Sequence, residues 1–75
     1  MSRHDRQLDE LRDLCRTDSA ARAVDLAFEH FACFGPDGEV IVMLAGVIDR
    51  TEPPPQVRRR FAELRAVYDE AVGGC

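Results

Sequence analysis

Cys15, His30 and Cys33 are the first side chains in this 75-residue chain whose types could do chemistry. His30 and Cys33 stand three apart, which sets a nitrogen donor and a sulfur donor on one face of a helix. A structural zinc site takes four such donors, commonly as two close pairs. Here there is one close pair and a distant thiol, and the fourth ligand would have to be His4 or Cys75. The set is incomplete, so no metal or other cofactor is expected. The plainer reading makes Cys15 and Cys33 small buried apolar residues. It leaves His30 at a helix surface near the C-terminal end, where the macrodipole favours a cation.

The cationic run Arg58-Arg59-Arg60, followed by Phe61, is the next candidate, as a phosphate grip at a helix start. On a helix these three side chains point in different directions, and acidic residues surround them, so a solvated or protein-facing charge run fits better. The tail Val72-Gly73-Gly74-Cys75 could thread into an enzyme site and present Cys75 for modification, as the arms of carrier and scaffold peptides do. Glycines also end ordinary helices, and terminal residues fray. Catalysis has little to stand on. Ser2 and Ser19 sit where helix capping explains them, and the chain has no Gly-rich phosphate loop or nucleophile elbow. The carboxylates are spaced as helix-surface partners of arginine, so no catalytic residue and no enzyme activity are expected.

Composition narrows the partners. All ten basic residues are arginine against fourteen acids, a net charge of −4, which disfavours a nucleic-acid partner because such affinity comes from neutralising phosphates. The arginine-only usage looks like codon bias in a GC-rich bacterial genome. The N-terminal residues are polar and lack the apolar stretch of a secretory signal, so the expected location is the cytoplasm, with the three cysteines as free thiols. The longest apolar run, Val40 to Ile48, has nine residues against the ~20 of a membrane span.

The elements that must position these groups follow from periodicity. Leu8, Leu11 and Cys15 repeat at helical spacing, with His4 extending the stripe backwards, and predict a helix from about Arg3 to Arg16. Thr17-Asp18-Ser19 reads as a stop followed by an N-cap. A second helix from Ala20 to Phe34 carries Val24, Ala27, Phe28 and Phe31 on one face and ends at Gly35-Pro36. Three of the four phenylalanines lie in it, which points to it as the centre of the core.

The segment after Asp37-Gly38 is apolar all round, and five of its residues are β-branched, which favours a strand. A hairpin or an intermolecular strand at residues 39–48, giving an α+β fold, is the alternative. A strand has no partner within the chain if the second helix stays helical, so a buried helix from about Gly38 to Arg50 is favoured. Thr51 to Pro55 forms a stiff connector, with Pro55 as the first residue of a last helix reaching Val72. That helix shows a seam of Val57, Phe61, Leu64, Tyr68 and Ala71.

The expected fold is therefore mainly α: a single domain over residues 1–72, a bundle of about four helices with the second and third inside, and a flexible tail at 73–75. A helix at the edge of so small a bundle normally keeps a polar face. The all-round apolar run implies a covering partner, with Val40, Ile41, Leu44, Val47 and Ile48 as the interface. The expected function is a protein–protein interaction module: a homo-oligomer, or an accessory or regulatory subunit of a bacterial assembly. A carrier or scaffold peptide modified at Cys75 is the alternative.

Overall fold

A computed structural model describes residues 2–73, and each helix in it begins and ends for a local reason. α1 spans Arg3–Arg16, α2 Ala20–Phe34, α3 Gly38–Thr51 and α4 Pro55–Gly73. Ser2 caps α1, its hydroxyl accepting the Asp5 amide at 3.2 Å. Asp37 caps α3 in the same way through Glu39. Gly35 ends α2 at φ 88°, a left-handed conformation that costs glycine nothing. The α4 start uses proline as expected: Pro55 needs no partner for an N–H it lacks, and the Pro54 carbonyl accepts the Val57 amide at 3.0 Å. Ser19 precedes α2 but makes no side-chain cap.

Residues 39–48 are helical, and the strand alternative does not occur. α2 and α3 are central, each meeting the other three helices, whereas α1 and α4 do not meet. The result is a slab with Cα extents of 33 × 30 × 15 Å, two helices thick. Among the described residues no helix is long and apolar enough to cross a membrane.

The phenylalanines do not form the centre of the core. Phe28 and Phe31 are half-buried at its margin, and Phe34 is exposed. The centre consists of Leu11, Ala23, Val24, Ala27, Val40, Leu44, Val47 and Leu64, together with one polar side chain, His30. Ala20, Ala23 and Ala27 run along the inner face of α2, and small side chains let neighbouring helices come close. A phenyl ring placed there would force them apart, so the rings cover the seams instead.

The turn from α1 to α2 depends on a residue distant in sequence. Asp18 adopts φ 60°, which aspartate tolerates better than most residues. The Arg50 guanidinium, at the end of α3, donates to its carboxylate at 2.7 and 2.9 Å and to the Cys15 carbonyl at 2.6 Å. One arginine thus satisfies a terminal carbonyl of α1 and fixes the turn.

Candidate functional site

Because α1 and α4 stand apart, the outer side of α2 is incompletely covered, and a groove of about 910 Å³ opens there. α1 supplies Glu10, Asp13, Leu14 and Arg16 with its C-cap Thr17, α2 supplies Arg22, Asp25, Leu26 and Glu29, and Arg60 of α4 closes one side. Leu14 and Leu26, both half-buried against the core, are its apolar residues. Helical period explains the composition. Positions 10, 13 and 14 of α1 and its C-cap at 17 lie beside the buried Leu8 and Leu11 stripe, and positions 22, 25, 26 and 29 flank the buried stripe of α2. Each helix looks charged there when read alone. Side by side, they bring two leucines together between charged rims.

Several rim charges are already paired. Arg16 binds Asp13 at 2.6 Å, and Arg60 pairs with Asp25 while its guanidinium lies 4.7 Å from the centroid of the Phe28 ring. Among the described residues, Glu10, Glu29 and Arg22 have no ion-pair partner. Antiparallel packing of α1 and α2 sets Glu10 and Glu29 toward one end of the groove and Arg22 toward the other. The groove therefore carries uncompensated negative charge at one end and positive charge at the other.

The expected interface residues occupy a different environment. Val40, Leu44 and Val47 are fully buried in this chain's own core, and Ile41 and Ile48 pack half-buried against it. This corrects the idea that the apolar run lacks cover: α1, α2 and α4 all contact α3. What α3 leaves outside includes Val42, 72% exposed, with Ala45, Gly46 and Asp49. The other exposed large apolar residues, Phe34, Val67 and Val72, lie on α2 and α4.

The cysteines and histidines are arranged differently from the sequence expectation. Cys33 is exposed, not buried, and Cys15 is half-buried. Burial pushes the Cys15 thiol up from its ordinary pKa, opposed by the nearby Arg50 charge. Neither thiol joins a donor cluster, and Cys75 lies outside the described residues. His30 is not at a helix surface but wholly buried, with Nδ1 2.9 Å from Gln7 Oε1 and Nε2 3.2 Å from Asp37 Oδ2. His4 joins it from the first turn of α1, its Nε2 3.4 Å from the same Asp37 oxygen. The stripe that links His4 to Leu8 and Leu11 marks its inward side, whereas nothing in the spacing marks Asp37 as a partner, since Asp37-Gly38 also suits a turn.

Arg58 and Arg59 are exposed, while Arg60 is held by Asp25, so the three arginines form no common cationic face. Comparison with protein-family models, with curated proteins and with solved structures gives no match.

Proposed function

We propose that this chain is a protein–protein interaction module whose binding element is the groove between α1 and α2. The carrying observation is an apolar floor, Leu14 and Leu26, between rims whose unpaired charges are segregated by sign. Helices that dock into grooves bring an apolar ridge at i, i+3, i+4 and i+7, and flanking charges set their direction. The occupant that fits is an amphipathic helix of another protein, with lysine or arginine toward Glu10 and Glu29 and an acid toward Arg22. An accessory or regulatory subunit of a larger bacterial assembly would work in this way.

Co-purification from the native host, comparing the wild-type chain with a Glu10→Arg/Glu29→Arg variant, tests this. Both positions are exposed, so the fold should survive reversal. The expected result is a partner retained by the wild type and lost by the variant, while a Val42→Thr control still retains it. A partner captured equally by all three chains would overturn the groove assignment. A dimer of this chain alone, seen by sedimentation and dissolved by the same reversal, would make the occupant a second copy.

A further inference from the structure

The geometry points to a second, independent site: His4, His30 and Asp37 form a binding site for a divalent first-row transition ion, zinc foremost. Their donor atoms all lie within 4.8 Å of one another. The two separations to Asp37 Oδ2, 3.2 Å from His30 Nε2 and 3.4 Å from His4 Nε2, match the edge of a tetrahedral site. Zinc bonds of 2.0–2.1 Å set that edge at about 3.3 Å. Only the His4 to His30 edge has to close. His4 is the side chain able to do so, being 41% exposed on the first turn of α1.

The arrangement around these donors favours a metal. Gln7 Oε1 can only accept, so Nδ1 of His30 donates to it, and a neutral ring then carries its lone pair on Nε2, toward the carboxylate. Glu39 N–H occupies Asp37 Oδ1 at 3.0 Å and leaves Oδ2 for a ligand. Both are outer contacts of the kind that orient metal ligands. Two imidazole nitrogens therefore converge on one carboxylate oxygen, and a single divalent cation satisfies all three where a proton satisfies one pair. Access is graded: His30 is sealed in the core, Asp37 is 21% exposed, and His4 lies at the mouth beside Phe34, whose ring is 5.2 Å from both histidine rings. Two histidines and a carboxylate leave a fourth position open to water, the ligand number of an open zinc site. The bound ion ties the first turn of α1 to the junction of α2 and α3, which suits a chain of a size that commonly needs a staple.

The test uses the untagged full chain with Cys15, Cys33 and Cys75 all changed to serine, so that thiols cannot bind the metal. Equilibrium dialysis against zinc chloride should give one zinc per chain. Cobalt chloride should give the visible absorption of a four-coordinate site. At a hundredfold excess over Kd, zinc should raise Tm on the order of 10 °C. His4→Gln and Asp37→Asn should each lower affinity at least tenfold. Asparagine keeps the α3 cap, so the apo Tm of Asp37→Asn should stay near that of its parent. Magnesium should not compete, given two nitrogen donors. Failure of the cysteine-free chain to bind zinc, or equal binding by the His4→Gln and Asp37→Asn variants, would overturn the proposal and leave the cluster a hydrogen-bonded helix junction.

Discussion

The Val40–Ile48 run and the α1–α2 groove have exchanged the roles their residues suggest. The run is the most apolar segment of the chain, yet its large side chains Val40, Leu44 and Val47 are completely enclosed by the other three helices. The groove comes from helix surfaces that read as charged, yet it holds Leu14 and Leu26 at the junction of two elements. Mean apolarity of a segment thus reports how much of it the fold covers. A surface able to receive a partner arises where elements adjoin, and no single segment displays it.

The sharpest way to break this comparison is Leu44→Ala. A cavity at a fully buried leucine should cost about 2–5 kcal/mol, against the roughly 3–5 kcal/mol a core of this size supplies. Urea unfolding should show a chain largely unfolded near 25 °C, and a loss below 1 kcal/mol would mean that α3 is less enclosed than its burial indicates. Arg50→Ala should come next, with a loss of about 1 kcal/mol, since its contacts are exposed yet it binds both Asp18 and the Cys15 carbonyl. Amide hydrogen exchange should localise that loss to residues 15–19, at the end of the groove. Val42→Thr should have the smallest effect, within about 0.5 kcal/mol. Any change in sedimentation on that substitution would mark the outer face of α3 as a contact surface after all.

Much of the fold is legible in the residues because helix ends are local events. Ser2 and Asp37 lie one residue before helices whose first free amides they accept, and Gly35 and Pro55 do their work within a turn of their own positions. The α4 seam is partly legible: Leu64 is buried and Tyr68 half-buried, whereas Ala71 at its end is exposed. Tyr68 reaches Gly38, where an added Cβ would lie 2.6 Å from its hydroxyl, a contact between helices that periodicity within α4 could not reveal.

The sites are less legible. The three-residue spacing sets His30 and Cys33 only about 60° apart around α2, yet the buried face is narrow enough that His30 lies inside it and Cys33 outside. The partners of His30 are instead Gln7, twenty-three residues before it, and Asp37, seven after it across a helix break. The first separation is far beyond helical spacing, and the second, though two turns long, spans the break at Gly35 where α2 ends.

By itself, then, the sequence determined the helices α1, α2 and α4 with their stops and apolar faces, and favoured a helix over a strand at residues 39–48, because capping, propensity and periodicity act within a few residues. Only the tertiary structure decided that Val40, Leu44 and Val47 are enclosed within this chain while Val42 stays outside, that the phenyl rings sit at the margin, and that His4, His30 and Asp37 converge. Those outcomes depend on how closely alanine-lined helices approach and on where the chain reverses, and both are settled by packing between residues far apart in sequence.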